Sequence, residues 1–362
     1  MFLTFGEIMM RLCPEGFLRF RQALPGTLEA TFGGGEANVA ASLAMMGNPV
    51  RYLTALPAHG IADALLARLK GLGIDTGQIL RRPEGRLGIY FLETGANQRP
   101  SNVIYDRAHS AVALAAASEY DLDAALEGIT WVHVTGITPA ISENAYQATL
   151  EVVRRARQAG ATVSCDLNFR KKLWKWRSGT EPKALAAECM KQVVDHVDVI
   201  IGNEEDASDV FGIAAEGTEV EAGQIDADAY KQVAEALCER FGQARFVAIT
   251  LRESLSASHN NWGAMLYDAA ARQSHFAPLD ADGQYRPYPI RNIVDRVGGG
   301  DSFCAGLIHA LNSDAHSAPE TAIKYAVAAS CLKHSIVGDF NYSSESEIVS
   351  LMKGSASGRV KR

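Results

Sequence analysis

The chain alternates between short apolar runs, which predict buried strands, and longer segments with apolar side chains at helical spacing. The predicted elements are strands 1–7, 50–56, 131–135, 161–166, 197–201 and 245–250 and helices 39–46, 61–72, 142–159, 181–196 and 228–241. Strands separated by helices of this length are typical of a mainly parallel sheet with helices on both faces. The pattern therefore predicts an α/β fold.

Several β-rich pieces interrupt this alternation of strands and helices in the first third of the chain. The β-rich pieces there are 10–12, 17–21, 87–93 and 101–107. No helix separates the last two pieces, which predicts a hairpin. Together the pieces predict a small antiparallel sheet that forms a lid from two inserted segments, about 10–32 and 86–108. The exposed sheet would need cover, which favours a homo-oligomer, either a dimer through the lid or a larger assembly.

Composition narrows the class of protein. The 362 residues are 47% hydrophobic, as in ordinary globular proteins, and the net charge of −7 argues against nucleic-acid or anionic-membrane partners. No apolar run approaches the ~20 residues of a membrane span, and no export signal is seen at the N-terminus. Six scattered cysteines suit reduced thiols better than disulfides or a zinc site. We expect a cytoplasmic protein in which residues 354–362 form a disordered tail.

A glycine-rich loop, Asp295–Asp301, carries the strongest chemical signal. Gly298, Gly299 and Gly300 lack Cβ atoms, so a ligand can approach the backbone closely. Apolar residues after the loop recur at helical spacing, so a helix should begin near Asp301. Unpaired N–H groups and the helix dipole then favour a phosphate, and the Asp301 carboxylate could accept a proton from an attacking hydroxyl. A simple N-capped turn explains the same residues.

Further polar residues follow predicted structural boundaries. A second glycine-to-helix junction, Gly33–Asn38, offers either backbone donors to a ligand or close packing of a helix on a strand. Three predicted strands end in polar groups, namely Asp166, Asn168 and Arg170, then Asn203, Glu204, Glu205 and Asp206, then Thr250. Ligands of open α/β sheets bind beyond the carboxyl ends of strands. We therefore expect one site that gathers these groups.

Taken together, these positions resemble the PfkB (ribokinase-like) family of sugar kinases over nearly the whole chain. Gly298–Asp301 resembles the Gly-Ala-Gly-Asp core of the family's C-terminal signature. The resemblance implies a three-layer α/β sandwich with a mainly parallel sheet and a β-sheet lid, as one kinase domain over residues 1–353. It also implies that the amides of Gly298, Gly299 and Gly300 form an anion hole and that Asp301 is the catalytic base.

The resemblance also implies ATP and Mg²⁺ as cofactors, with a monovalent cation as a further candidate. The implied nucleotide-binding residues are Asn168, Asn203, Thr250, Gly298, Gly300 and Ser330. Segment 203–206 stands where the family has Asn-x-x-Glu, but its last residue is Asp206, so either Glu205 or Asp206 would order the metal. Arg296 replaces the small or hydroxylated residue that is usual after Asp295.

Within the family the chain resembles 2-keto-3-deoxygluconate kinases, which implies a sugar-acid substrate. The implied substrate-binding residues are Gly34, Gly35, Asn38, Tyr90, Tyr105, Arg107, Arg170 and Asp301. Two arginines in one pocket suit a carboxylate, which guanidinium binds with two hydrogen bonds. Alternatively, Arg107 is a solvated hairpin charge, Tyr90 is lid core, and Arg170 is a surface residue or serves ATP.

Other functions stay open at this point. A kinase for a neutral ketose or a nucleoside would share the phosphate machinery without the carboxylate clamp. A non-catalytic sugar sensor would explain the departures at Asp206 and Arg296. A dinucleotide oxidoreductase is disfavoured because no Gly-x-Gly-x-x-Gly follows the first strand.

Overall fold

A nine-stranded sheet forms the centre of the fold in the computed structural model, which describes residues 1–203, 205–214 and 227–354. The strands are β1 (Phe2–Phe5), β2 (Met9–Cys13), β3 (Glu29–Gly33), β4 (Val50–Leu53), β5 (Ala55–Pro57), β6 (Leu80–Arg82), β7 (Gly88–Glu93), β8 (Asn102–Asp106), β9 (Trp131–Thr135), β10 (Thr162–Asp166), β11 (Val199–Asn203), β12 (Phe246–Ser256), β13 (His259–Asp268), β14 (Gln273–Ala277) and β15 (Tyr288–Arg291). The central order is β14-β13-β12-β11-β10-β9-β1-β4, and β15 also pairs with β13.

The strands from β4 across to β12 run parallel, and β13, β14 and β15 continue the sheet in antiparallel fashion. The mainly parallel sheet predicted from the alternation is thus confirmed. The carboxyl ends of the parallel strands share one edge, and that edge gathers the polar residues described below.

Helices cover both faces of this sheet. They are α1 (Phe20–Ala23), α2 (Gly35–Met45), α3 (Gly60–Gly71), α4 (Ala111–Leu114), α5 (Leu122–Leu126), α6 (Glu143–Gln158), α7 (Pro182–Val194), α8 (Asp206–Phe211), α9 (Ala227–Arg240), α10 (Gly299–Leu311), α11 (Pro319–Lys333) and α12 (Glu345–Met352). Ser142 caps α6, as expected, because its side chain accepts a hydrogen bond from the Ala145 N–H at 3.0 Å.

Two apolar cores lie on opposite faces of the sheet. Successive side chains of β1 point to opposite faces of the sheet and so belong to different cores. Leu3 and Phe5 pack with residues of α6, α7 and α9 on one face. Phe2 packs on the other face with residues of α2, α3, α10 and α11. This division produces the three-layer arrangement, and it explains why the parallel strands are apolar on both sides.

The lid is a separate four-stranded sheet in the order β3-β2-β7-β8. Its strands lie within or at the edges of the segments predicted for it. The expectation of a purely antiparallel sheet is wrong, because β2 and β7 pair in parallel. Strands so far apart in sequence are not restricted to hairpin geometry. The extended piece predicted at 17–21 is also wrong, because no strand forms there and Phe20 begins the short helix α1.

Two other predicted boundaries differ from the structure. The strand predicted at 50–56 splits after Leu53, because β5 leaves the central sheet and pairs with β6 in a separate two-stranded sheet. Helix α10 begins at Gly299, two residues before Asp301, so the glycines themselves form its first turn. The disordered tail predicted for 354–362 falls, after Gly354, outside the described residues.

Candidate active site

A cleft of about 350 Å³ opens between the carboxyl edge of the central sheet, the lid and the start of α10. The predicted site residues that line it are Gly34, Gly35, Asn38, Tyr90, Tyr105, Arg107, Asn168, Arg170, Asn203, Asp206, Thr250, Gly298, Gly299, Gly300 and Asp301. Two predicted site residues, Glu205 and Ser330, are not in its lining. Residues from the beginning, middle and end of the chain therefore meet in one space.

The glycine loop presents backbone N–H groups to this cleft. Gly298 has φ of +81°, and a Cβ there would lie 2.1 Å from the Asp339 carbonyl oxygen, so only glycine fits. The Gly299 N–H donates to the Arg296 carbonyl at 3.3 Å. In the described part of the chain the N–H groups of Gly300 and Asp301 have no acceptor. They are available to an anion at the N-terminus of a 13-residue helix.

Asp301 lies beside these amides, and Asn38 holds its carboxylate. The Asn38 Nδ2 donates to Asp301 Oδ2 at 2.7 Å, which joins the first turn of α2 to that of α10. Burial raises the pKa of Asp301 to about 6, with a smaller rise from the charge of Asp339; the Asn38 hydrogen bond and the nearby charge of Arg170 oppose the rise. Asp301 is ionised at neutral pH with a basicity suited to accepting a proton.

The two arginines assigned to the substrate lie in the same cleft. Arg107 forms an ion pair with the buried carboxylate of Glu7, and its guanidinium lies 5.6 Å from the ring centre of Tyr105. Arg170 is exposed at its end of the cleft, and its Nη1 donates to the Phe169 carbonyl oxygen at 3.3 Å. Arg107 is therefore not a solvated hairpin charge, since its side chain is 9% exposed.

Tyr90 belongs to a buried polar cluster that joins the lid to the glycine loop. Its hydroxyl donates to Asp339 Oδ1 at 2.6 Å. Arg11 of β2 bridges two carboxylates, with its Nη1 2.9 Å from Asp339 Oδ1 and its Nη2 2.6 Å from Asp295 Oδ2. Burial alone would lower the pKa of Arg11, but the two carboxylates outweigh it and raise the value. This cluster (Arg11, Tyr90, Asp295 and Asp339) fixes the lid strands against the loop that precedes α10.

The two acids predicted to order a metal, Glu205 and Asp206, follow β11 and differ in their surroundings. Asp206 is buried, and its oxygens accept the N–H groups of Phe169 and Asn203, each at 2.9 Å. Burial raises the pKa of Asp206, and these two backbone hydrogen bonds oppose the rise. The Glu205 side chain is exposed and lies outside the cleft lining, so its candidacy as a metal-ordering acid receives no geometric support. Glu204 lies outside the described residues.

Ser330 supports the site from behind. It is completely buried on α11, and its hydroxyl donates to the Gly299 carbonyl oxygen at 2.7 Å. The assignment of Ser330 to nucleotide contact is therefore corrected, because its hydroxyl is committed to the first turn of α10. The small side chains of α11 serve close packing, since a Cβ on Gly306 would lie 2.9 Å from that of Ala329.

Sequence reasoning missed several lining residues, notably Glu7, Arg252 and Asp339. The rule that selects polar residues after a strand would have found Glu7, which follows β1 by two positions. Asp339 follows α11 and ends no predicted strand, and its carboxylate binds lid residues that are distant in sequence. Asp166 was noted at its strand end but not assigned a role, and it lines the cleft.

Among the described residues, none of the helices has the length and apolar composition needed to cross a membrane. The fold and the cleft, with its helix N-terminus beside a carboxylate, define the ribokinase-like class of phosphotransferases. The chain belongs to the pfkB family of carbohydrate kinases, whose family model matches residues 2–341. It is a sugar kinase, and the family resemblance seen in the sequence is confirmed.

Individual relatives match over nearly the whole chain. A 2-dehydro-3-deoxygalactonokinase of Haloferax volcanii is 29% identical, with 98% of both chains covered. The crystal structure of a 2-dehydro-3-deoxygluconokinase from Thermotoga maritima is 40% identical and superposes with a TM-score of 0.86, covering 98% of this chain and 99% of the other. A putative ribokinase II from E. coli, solved with ATP and Mg²⁺, shares the fold at 20% identity and a TM-score of 0.74, covering 98% and 99%.

Proposed function

We propose that this chain transfers the γ-phosphoryl group of ATP to a hydroxyl of 2-keto-3-deoxygluconate or a closely related sugar acid. The observation that carries the proposal is the meeting of Arg107 and Arg170 with Asp301 and the glycine loop in one cleft. A carboxylate gains two hydrogen bonds from a guanidinium, whereas a neutral sugar gains little. Two of the relatives named above, the Haloferax volcanii and Thermotoga maritima proteins, are by name kinases of sugar acids of this type, and this supports the assignment.

Arg107 is prepared for a carboxylate by its contact with Glu7. The ion pair fixes the position of the guanidinium. A guanidinium carries five N–H donors and the Glu7 carboxylate uses two at most, so donors remain for the carboxylate of a substrate. Tyr105 lies against Arg107, and the residue is 43% exposed. The side chains would thus hold the acid end of the sugar and direct a hydroxyl toward Asp301.

Asp301 would accept the hydroxyl proton as the new bond to phosphorus forms. The free amides of Gly300 and Asp301 would stabilise negative charge on the transferred group. Because the loose transfer state releases the proton late, correct placement of the hydroxyl contributes more than base strength. Closure of the lid would exclude water and suppress hydrolysis of ATP.

ATP would enter as its Mg²⁺ complex, in which the cation neutralises phosphate charge. Both oxygens of Asp206 already accept hydrogen bonds from backbone N–H groups, so these residues fit a metal that is held mostly through phosphates and water. Asn168, Asn203 and Thr250 line the cleft on this side and are our candidates for nucleotide contact. A role for a monovalent cation stays a prediction.

We further propose that the chain acts in the cytoplasm as a homo-oligomer. The cytoplasm supplies ATP and suits its six free cysteines. The lid exposes large apolar side chains outside the cleft that a monomer would leave in water, namely Phe17, Leu18, Leu24 and Ile104. A second lid packed on this surface would cover them, and a dimer is the smallest assembly that does so.

The test is ADP release in the presence of a substrate panel. The panel contains 2-keto-3-deoxygluconate, 2-keto-3-deoxygalactonate, fructose and adenosine. We expect kcat/KM for one of the two acids to exceed that for fructose and adenosine by at least about a hundredfold, since losing a charge-assisted pair costs about 1.5–3 kcal/mol per bond. A preference for fructose or adenosine would reject the sugar-acid assignment. No turnover of any member, with sugar binding retained, would favour the sensor.

A further inference from the structure

Arg252 and Arg296 line the cleft beside the glycine loop without an acidic partner. Among the described residues, neither guanidinium lies within ion-pair distance of a carboxylate. Arg107 and Arg11 differ, because Arg107 pairs with Glu7 and Arg11 bridges two aspartates. Among the described residues Arg170 also lacks an ion-pair partner, but the proposed function assigns it to the sugar acid. An unpaired pair of cations in a cleft requires an explanation.

Their positions place both charges on the nucleotide side. Arg296 precedes Gly298 by two residues, and Arg252 follows Thr250 by two residues along β12. Arg252 stands opposite Trp262 in the β12–β13 register, and Trp262 also lines the cleft. Both charges therefore line the same cleft as the free amides of the α10 N-terminus, Arg252 from within β12 and Arg296 from the loop that precedes α10.

Arg296 is held in place rather than free in solvent. Its Nη2 donates to Asn260 Oδ1 at 2.9 Å, and Asn260 is 1% exposed. Burial lowers the pKa of Arg296, and the charge of Arg252 lowers it further. Holding the half-buried Arg296 beside the like charge of the exposed Arg252 costs free energy, and an anionic ligand between them would recover it.

The neighbouring acid does not supply that anion. Glu253 follows Arg252 on β12, so its side chain points to the opposite face of the strand. Its Oε2 accepts a hydrogen bond from Asn261 Nδ2 at 2.6 Å. The ligand must therefore bring the negative charge.

We propose that Arg252 and Arg296 form a clamp for the polyphosphate of the nucleoside triphosphate. The inference rests on the proposed kinase function and names residues that bind the donor rather than the sugar. It also connects two departures from the family pattern. Asp206 is shorter than the usual glutamate and has both oxygens engaged, while Arg296 adds a fixed cation near the transferred phosphate. Because both oxygens of Asp206 accept backbone N–H groups, Asp206 would hold a metal only indirectly. The two arginines would add positive charge at the phosphates.

The experiment measures nucleotide affinity by calorimetry with the full chain and no sugar. The ligands are Mg²⁺–ATP and AMP, and the variants are Arg252→Gln, Arg296→Gln and Arg296→Lys. Arg291→Gln is the matched control, because Arg291 is an exposed arginine on β15 outside the cleft lining. We expect each Gln variant to lower the affinity for Mg²⁺–ATP at least about tenfold and to change the affinity for AMP less than about threefold. Arg296→Lys should bind ATP more tightly than Arg296→Gln does. Added salt should lower the ATP affinity of the Gln variants less than that of the wild type.

Unchanged ATP affinity in both Gln variants would overturn the clamp, as would equal losses for ATP and AMP, which indicate a structural effect. Arg252 is exposed, so its variant tests the clamp even where Arg296→Gln disturbs folding. The readout is independent of the sugar. Normal turnover of a sugar acid with unchanged ATP affinity rejects the clamp alone, whereas arginine-dependent ATP binding without turnover of any acid rejects the substrate assignment alone.

Discussion

At the scale of single residues, the surroundings of Asp301, the proposed base, would determine the pH range of the reaction. Burial raises its pKa to about 6, so the carboxylate loses its charge as the pH falls through that value. We predict that kcat/KM falls about tenfold per pH unit below about pH 6, because this parameter reports the free enzyme. A profile measured from pH 4.5 to 8 checks this. Constant kcat/KM down to pH 5 would exclude Asp301 as the base.

Glu36 is a second buried acid near the site, and it affects stability rather than chemistry. Its Oε1 accepts hydrogen bonds from Thr135 at 2.8 Å and Thr138 at 2.9 Å. Burial raises the pKa of Glu36 from 4.5 to about 7, so the folded state binds its proton more tightly than the unfolded state does. Stability from this group is full below pH 4.5 and is lost as the pH rises toward 7 and above, by on the order of 3 kcal/mol.

We predict that Glu36→Gln removes most of this pH dependence. Glutamine keeps an oxygen for the two threonines and carries no charge. Urea unfolding at pH 5 and pH 8 gives the free energy of unfolding for wild type and variant. The difference between the two pH values should shrink by about 2–3 kcal/mol in the variant. An equal difference in both proteins would show that Glu36 does not titrate in this range.

At the scale of elements, Arg11 connects the lid strand β2 to the loop before α10. It is 3% exposed and bridges Asp295 and Asp339. Removing the guanidinium leaves two buried carboxylates without their main partner. We predict that Arg11→Met lowers the free energy of unfolding by about 3–5 kcal/mol. The same variant should lower kcat, since this loop leads into the proposed anion hole.

Arg86 supplies the control for this prediction. It pairs with Asp106 in the lid segment, but the side chains are 37% and 53% exposed. Arg86→Met should therefore change the free energy of unfolding by less than about 1 kcal/mol. Denaturant unfolding of both variants measures the difference. Similar small effects for Arg11 and Arg86 would remove the buried cluster as the connection between lid and loop.

The elements themselves were predictable to the extent that their patterns are local. The alternation from Trp131 onward identified the parallel strands and helices, because burial on both sheet faces makes the strands continuously apolar. The parallel pairing of β2 with β7 was not predictable, because it joins segments about 80 residues apart. The division of strand 50–56 depended on β6 as an external partner, which no local pattern indicates.

The site was predictable where glycines and strand ends mark it. Asp301, Asn38 and the glycine loop meet as expected. The partners of these groups were not predictable, since Arg11 and Asp339 are 328 residues apart in the chain and join only through the fold. Ser330 was misassigned for a related reason, because a small polar residue in a helix can serve a ligand or a neighbouring backbone equally well.

At the scale of the whole molecule, the exposed apolar surface of the lid predicts self-association. Ile104 is 50% exposed on β8, the edge strand of the lid sheet. We predict that Ile104→Asp shifts the protein from oligomer to monomer, as measured by light scattering after gel filtration. Ile61, which is 49% exposed on α3 outside the lid, provides the control variant Ile61→Asp. A monomeric wild type, or dissociation by both variants, would contradict a lid interface.

The same scale explains why the chemistry needs the complete chain. The cleft combines the lid, the carboxyl edge of the sheet and the start of α10, which come from all parts of the sequence. The arginines on the acceptor side and the amides at the α10 N-terminus lie in the same cleft as Asp301. The proposed base therefore lies where the acceptor and the transferred phosphoryl group would meet.

The most direct test compares ADP release from ATP and 2-keto-3-deoxygluconate by the wild type and by Asp301→Asn. Asparagine keeps the size of the side chain and can still meet Asn38, so binding of the sugar acid, measured separately by calorimetry, should change only a few-fold. Loss of the base should lower kcat by at least about a thousandfold. A variant that keeps kcat within tenfold of the wild type would show that Asp301 does not deprotonate the acceptor.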